Sequence, residues 1–283
     1  MNIQPAWNVA TNSWTVPPSW RPGDLVKLTV KGRCILPDET LYEHMRVARG
    51  RFPELVKAQV PPFAERLLIV GAGLSLLEYR DTIIERAKSE PVMALKGTHD
   101  WLIEQGVTPT YAVASDPQQS RYNVFKRLND DTIYLLASQM HPDTWDYMQG
   151  RKVIVWHSEQ RSDHRTREDW KDIPLVFGGS TTGSRALTLA YLLGFRNVDL
   201  YGMDSSVAYD GTYKIDGTKL REGDKALPVW VGDRMFNSAL SLVPQVAQIR
   251  DVLMMLPGIK VEPHGDGYLQ EVIRQGKAAG WPV

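Results

Sequence analysis

From Arg66 onward, short apolar runs alternate with stretches of helical period. Leu67 to Val70, Val92 to Leu95, Tyr111 to Ala114, Thr132 to Leu136, Lys152 to Trp156, Ile173 to Phe177 and Val198 to Tyr201 each read as a strand. Runs this short and this apolar suit strands buried on both faces of a parallel sheet. Helical stretches lie between them, the first over about Leu76 to Ser89 and the second beginning within Lys96 to Trp101. A further helix has its start signal in Ser180, Thr181 and Thr182 and its stop signal in Gly194. Within it Ala186, Leu189, Ala190 and Leu193 recur at i, i+3, i+4 and i+7, which places them on one face. A long helix over Met235 to Leu256, a strand over Lys260 to Glu262 and a helix over Gly267 to Lys277 close the chain. The alternation predicts an α/β fold, a mostly parallel sheet with helices on both faces.

Two stretches break this rhythm. Residues 1–65 are interrupted by Pro17, Pro18, Pro22, Pro53, Pro61 and Pro62, with Trp7, Trp14 and Trp20 as apolar mass. They predict a small N-terminal extension packed on a core domain of residues 66–283, with its helical part from Glu39 to Gln59. Residues 205–232 are rich in Tyr, Asp, Gly and Lys and suggest a hairpin around Asp216-Gly217. A long insertion at a strand's carboxyl end reads as a lid, or else as a surface excursion.

Composition removes several classes. Lys+Arg and Asp+Glu balance at 33 each in 283 residues, so bulk charge points to neither nucleic acid nor a membrane surface. No run approaches ~18 apolar residues, and the first residues lack a signal peptide's basic start and apolar run. A lone Cys34 leaves no internal disulfide and no cysteine-rich zinc site. The expectation is a cytoplasmic protein with small-molecule partners, no nucleic acid and no membrane; a homo-oligomer is left open.

The polar signals gather where strands end: Gly71 to Ser75, Lys96 to Asp100, Ser115-Asp116, Ser138, His157, Gly178 to Arg185 and Asp204. In a parallel sheet these ends form one rim. Gly178 to Gly183 has the spacing of a phosphate-binding loop, but Ser184-Arg185 replaces the lysine and hydroxyl that loop needs. What remains is a helix start at Gly179, Ser180, Thr181 and Thr182 that holds an anion, with Arg185 as a cation, or an ordinary capped turn. Gly71, Gly73 and Ser75 suit close approach to a phosphate, yet Leu76 stands where a dinucleotide fingerprint needs its third glycine and Lys96 ends the next strand. Asp116 and Asp204 are the carboxylates suited to Mg²⁺, or else Asp116 starts a turn before Pro117 and Asp204 caps a helix. His99 is read as capping or packing, and His157 and His164 as solvated members of a charged loop.

Val70-Gly-Ala-Gly-Leu-Ser-Leu76, Lys96-Gly-Thr-His-Asp-Trp-Leu102, Pro109 to Asp116 and Gly178 to Asp204 together resemble the 6-hydroxymethylpterin diphosphokinase MptE-like family. That family is similar in turn to the Rossmann-like family 42 sialyltransferases; Leu74 departs from the proline usual in their loop. The resemblance implies a Rossmann-like fold and transfer of diphosphate from ATP, with Mg²⁺, to the hydroxymethyl group of a reduced pterin or another hydroxyl acceptor. It implies nucleotide phosphates at Gly71, Gly73 and Ser75, the metal at Asp116 and Asp204, and a phosphate or acceptor at Ser180 to Thr182. Transfer from a CMP-sugar and a non-catalytic binding role stand as alternatives on the same fold. Tyr209, Tyr213, Lys214, Lys219 and Arg221 would let the insertion cover a nucleotide or acceptor.

Overall fold

The structure is a computed structural model, and it describes residues 6–8, 13–15, 36–60, 62–158, 175–220, 222 and 226–281. The chain begins with β1 (Ala6–Asn8), β2 (Ser13–Thr15), α1 (Asp38–Arg51), β3 (Phe63–Val70), α2 (Arg80–Arg86), β4 (Val92–Leu95) and α3 (Thr98–Glu104). It continues through β5 (Tyr111–Ala114), β6 (Ile133–Ala137), α4 (Pro142–Tyr147), β7 (Lys152–Ser158), β8 (Leu175–Val176) and α5 (Thr182–Leu192). Last come β9 (Phe195–Tyr201), β10 (Ala226–Val231), β11 (Arg234–Ala239), α6 (Val243–Met254), β12 (Lys260–Pro263) and α7 (Tyr268–Ala278). Eight strands form a parallel sheet in the order β12-β9-β3-β4-β5-β6-β7-β8. This is the Rossmann-like α/β arrangement that the alternating pattern predicts. A smaller sheet has the order β11-β10-β1-β2.

Side chains of the central strands part by simple alternation. Leu67, Ile69, Met93 and Leu95 enter one core with residues of α5, α6 and α7. Leu68, Val70, Val92 and Ala94 enter a second core with Ile83 of α2 and Leu102 of α3. Both faces are therefore covered, as a parallel sheet requires. Residues after α1 join the main sheet through Leu55, which bridges Val155 of β7.

Helix α5 has an unusual position. The chain leaves β8 at one edge of the sheet and next enters β9 on the far side of β3, so α5 spans the face between. Every residue from Thr182 to Ala190 is buried. The single apolar stripe expected from Ala186, Leu189 and Ala190 is too narrow, because a helix lying between a sheet and a second helix, α6, has no solvent face.

Other boundaries moved for identifiable reasons. Residues 235–239, expected inside a long helix, form β11 and pair with β10, with Phe236 opposite Val229. Phe236 and Ser238 are buried while Met235 is exposed, a strand period, and the helix starts only at Val243 with Pro244 in its first turn. Helix α1 stops at Arg51, before Pro53, rather than at Gln59. A 3₁₀ segment, Leu74–Tyr79, precedes α2. The expectations that rest on Pro17, Pro18, Trp20, Pro22, Cys34, Pro61, His164, the strand start at Ile173 and Arg221 lie outside the described residues. Among the described residues no helix is long and apolar enough to cross a membrane.

Asp199 of β9 is a buried charge that ties the sheet to α2. Arg66 Nη1 donates to Oδ1 at 3.0 Å and Arg86 Nη2 to Oδ2 at 2.6 Å, while His264 Nε2 stands 3.3 Å from Oδ1. Arg86 also donates to the Tyr201 hydroxyl at 2.7 Å, and the Tyr201 ring stacks on His264 at 4.3 Å. Burial pushes the Asp199 carboxyl up, but His264, Arg86 and Arg66 outweigh it and hold it down at about 2. Its stabilisation is therefore complete above the unfolded value of about 3.9 and is lost as pH falls through about 2. Asp199→Asn should lower unfolding free energy at pH 7 by on the order of 2 kcal/mol, since it removes the buried charge that Arg86 and Arg66 share. In urea titrations the gap between variant and wild type should narrow below pH ~4. A gap that stays constant down to pH ~2 contradicts this account.

Candidate functional site

Because all eight strands of the main sheet run parallel, the polar residues that follow them share one rim. The loop after β3 is closed on the loop after β9. Gly71 N donates to Tyr201 O at 2.8 Å and Gly73 N to Gly202 O at 2.7 Å. A Cβ at Gly71 would stand 2.6 Å from Gly202 O, and one at Gly73 would stand 2.6 Å from Asp204 Cγ. The glycines are thus required by the meeting of two backbones within the chain. Asp204 completes the closure: Oδ2 accepts Ser75 N at 2.8 Å, and Oδ1 accepts both Ser75 Oγ and, at 2.8 Å, Gln270 Nε2 of α7. Asp204 O also accepts Leu269 N at 3.0 Å. Gln270, which sequence reasoning missed, lies 66 residues from its partner and carries no local signal.

The turn before α5 is capped from within. Thr181 and Ser184 form a reciprocal capping box, with Ser184 N on Thr181 Oγ1 at 3.2 Å. Ser180 N donates to Gln248 Oε1 at 2.7 Å, and a Cβ at Gly179 would collide with the same side chain. Arg185 is buried; its Nη1 donates to Val176 O at 2.7 Å and its guanidinium lies 6.0 Å from the Trp156 ring centre. The arginine expected at a phosphate therefore braces β8 and β7. Thr182 alone of this turn reaches toward the next strand end, its Oγ1 2.7 Å from Ser115 Oγ.

Two histidines are structural. His99 is fully buried beside Phe125 and Tyr134, with Nδ1 3.1 Å from Asp100 Oδ1. His157 is not a solvated loop residue, as its charged neighbours in sequence suggested. β7 extends to Ser158, so His157 is buried in the sheet, with Nδ1 2.7 Å from Ser138 Oγ.

The rim is differently made at the ends of β4 and β5. Lys96 has a left-handed backbone, φ 52°, and is half-buried. Its N–H donates to Val113 O at 2.9 Å, which sets it beside β5. Asp116 is half-buried, with Oδ1 accepting Gln118 N at 3.2 Å. Burial pushes the Lys96 ammonium below the ordinary lysine range; Asp116 opposes this, and the charges of Lys214 and Arg121 add to it. Arg121, on the short turn after β5, was not singled out from sequence.

Lys214 reaches this corner on the insertion. Asp210-Gly-Thr and Asp216-Gly-Thr repeat one turn, each Asp Oδ1 accepting its Thr N–H, at 3.0 and 2.9 Å. Thr212 bridges Lys219 across them, which is the hairpin expected at Asp216-Gly217. The middle of the insertion is anchored: Ile215 N donates to Ala72 O at 3.0 Å, and its side chain packs on the core of Leu76 and Tyr201.

A metal shared by Asp116 and Asp204 does not fit this arrangement, because both oxygens of Asp204 are already engaged by Ser75 and Gln270. Among the described residues no group of three or more His, Cys, Asp or Glu is placed to hold a metal ion. A concavity of about 400 Å³ lies away from the rim, at edge strand β12, lined by Arg66, Lys260, Glu262 and Lys277. Among the described residues, the charged groups left available for a ligand at the rim are thus Lys96, Asp116, Arg121 and Lys214, beside the hydroxyls of Ser115 and Thr182.

Comparison with known proteins agrees with the architecture. A family model described as 6-hydroxymethylpterin diphosphokinase MptE-like matches residues 39–210. No curated protein matches the sequence. Among solved structures, the MAf glycosyltransferase from Magnetospirillum magneticum AMB-1 is similar with TM-score 0.61 at 14% identity, covering 88% of this chain and 42% of its own. This chain thus spans less than half the length of that protein. A mammalian sialyltransferase solved with Gal-beta-1-3GalNAc-ortho-nitrophenol is similar with TM-score 0.40 at 14% identity, covering 92% of this chain and 90% of its own.

Two outcomes follow from the geometry. Asp204→Asn replaces a carboxylate that accepts three hydrogen bonds with an amide that must turn a donor toward one of them. It should lower unfolding free energy by about 2–3 kcal/mol in chemical denaturation without any ligand present. Unchanged stability would remove Asp204 as the closure of the β3 loop. Lys96→Gln should act in the opposite direction. A lysine whose pKa is lower folded than unfolded weakens the fold while it is charged in both states, and this penalty disappears as pH rises past about 10.4. The variant should unfold at a higher temperature than wild type at pH 7, and scanning calorimetry should show the advantage fading toward pH ~10.

Proposed function

The chain belongs to the 6-hydroxymethylpterin diphosphokinase MptE-like family, and on that premise we propose that it is a nucleotide-dependent transferase working at the β4–β5 corner of its rim. The observation that supports this reading is the meeting there of Lys96, Arg121 and Lys214 with one carboxylate, Asp116, and the paired hydroxyls of Ser115 and Thr182. Cations suit the phosphates of a nucleotide, and a carboxylate beside them suits proton removal from an acceptor hydroxyl.

The reaction proposed first is diphosphoryl transfer from ATP to a hydroxymethylpterin-like or other hydroxyl acceptor. The acceptor oxygen attacks the β-phosphorus, and that O–P bond forms as the bond from the β-phosphorus to the α,β-bridging oxygen breaks. AMP leaves with the electron pair, and Asp116 takes the hydroxyl proton. Ser115 and Thr182 orient the acceptor through hydroxyls 2.7 Å apart. Catalysis of this kind rests on positioning and charge neutralisation. A second reading, glycosyl transfer from a CMP-sugar or other nucleotide-sugar, is supported by the fold shared with the MAf glycosyltransferase and uses the same corner for the diester or diphosphate.

A thermal-shift panel of ATP, CTP, CMP, UDP-sugars and a hydroxymethylpterin, each with and without Mg²⁺, separates the two. The first reading expects stabilisation by ATP that grows when the pterin is added. The second expects it from CMP or a nucleotide-sugar, and silence across the panel would favour a non-catalytic role.

A further inference from the structure

Three cations reach one corner of the rim from three separate segments. Val70 pairs with Ala94, so the loop after β3 runs beside the end of β4, where Lys96 stands. The bond from Ile215 N to Ala72 O, 3.0 Å long, brings the neighbouring Lys214 to that loop. Arg121 arrives from β5, its N–H bonded to Gln118 O at 2.9 Å directly after Asp116-Pro117. Among the described residues none of the three makes an ion pair; Lys214 only lies over its neighbour Tyr213, 5.4 Å from the ring centre. Lys96 also keeps φ 52°, a left-handed conformation that residues with side chains rarely adopt. Like charges held together on a strained backbone leave a field that an anion completes. Asp204 already accepts three hydrogen bonds, and among the described residues no group of three or more His, Cys, Asp or Glu stands where it could hold a metal.

We propose that this corner binds the nucleotide's diphosphate or triphosphate through Lys96, Arg121 and Lys214 directly, the three side chains doing together what a divalent metal does at other phosphoryl-transfer sites. The inference rests on the nucleotide-transferase reading and narrows it. Three cations outnumber the carboxylates that face them, Asp116 beside Lys96 and Asp216 beside Lys214, and the surplus favours an anion with at least two phosphates over a monophosphate. Lys and Arg divide the work by shape: Lys96 and Lys214 are compact point charges, and Arg121 offers a planar fork to two oxygens. Lys214 sits next to Ile215, which anchors the insertion at Ala72, so its place beside the corner is set before any phosphate binds.

Titration calorimetry on the whole chain, with inorganic pyrophosphate, ATP and AMP, tests this in EDTA and again in Mg²⁺. Pyrophosphate and ATP should bind in EDTA within about threefold of their affinity in Mg²⁺, and AMP at least tenfold more weakly. Lys96→Gln and Lys214→Gln should each weaken pyrophosphate about tenfold; among the described residues the half-buried Lys214 side chain makes no ion pair, so that variant keeps the fold. Asp116→Asn should leave pyrophosphate binding unchanged or tighter, because it removes a like charge. Binding that vanishes in EDTA, is lost in Asp116→Asn and is indifferent to both lysine substitutions would overturn the proposal while leaving the transferase reading in place. Wild-type protein that binds none of ATP, CTP, UDP-sugars and pyrophosphate under either condition would sink the transferase reading itself, and this inference with it.

Discussion

The carboxylate of Asp204 is the contact on which the arrangement of the rim depends. It joins the loop after β3, the end of β9 and the start of α7 on one side chain, through Ser75, Gln270 and the backbone of Leu269. Strand order turns between β3 and β9, the place where open α/β sheets ordinarily leave a crevice for ligand. Here the crevice is filled by the chain. Gly71, Gly73 and Gly202 let the two backbones close on each other, and Asp204 locks them. The rim's available charge is therefore displaced by two strands, to the gap between β4 and β5. A charge-assisted bond of this kind is strong because it is short, multiple and shielded from water.

Much of the scaffold was legible because it depends on local chemistry. Val92 to Leu95 and Tyr111 to Ala114 are strands with the bounds their apolar runs predict, and Gly194, at φ 100°, ends α5 where a helix stop was expected. The failures came where a partner distant in sequence decides the outcome. Met235 to Ala239 has residues that suit a helix, but β10 captures it as a strand. Arg185 looks like a cation for a ligand until β8 offers it a carbonyl. His157 looks solvated until β7 proves two residues longer than its apolar run.

The gathering of polar residues on one rim was legible, more than the part each of them plays. A parallel sheet puts every strand end on one rim, so Lys96, Ser115, Asp116 and Thr182 could be named from strand ends alone. What could not be read was which glycines face a ligand and which face another backbone, since both demand the absence of a Cβ. Gly71 and Gly73 belong to the second kind, held against Gly202, while Gly179 faces the side chain of Gln248. The repeated Asp-Gly-Thr of the insertion was visible as letters, but its meaning required the anchor at Ile215.

The passage of α5 across the sheet also bears on how the protein is made. β3 lies inside the finished sheet, yet its two neighbours arrive at very different times. β4 follows it closely, whereas Arg66 and Asp199, on β3 and β9, are 133 residues apart. During synthesis at roughly 5–20 residues per second, β3 through β8 emerge while one edge of β3 still lacks its partner. That edge is apolar from Leu67 to Val70 and carries unpaired backbone groups, a template for pairing with other chains. The nascent protein is thus exposed to misassociation for about the time needed to make that intervening length of chain, and arrival of β9 ends the hazard.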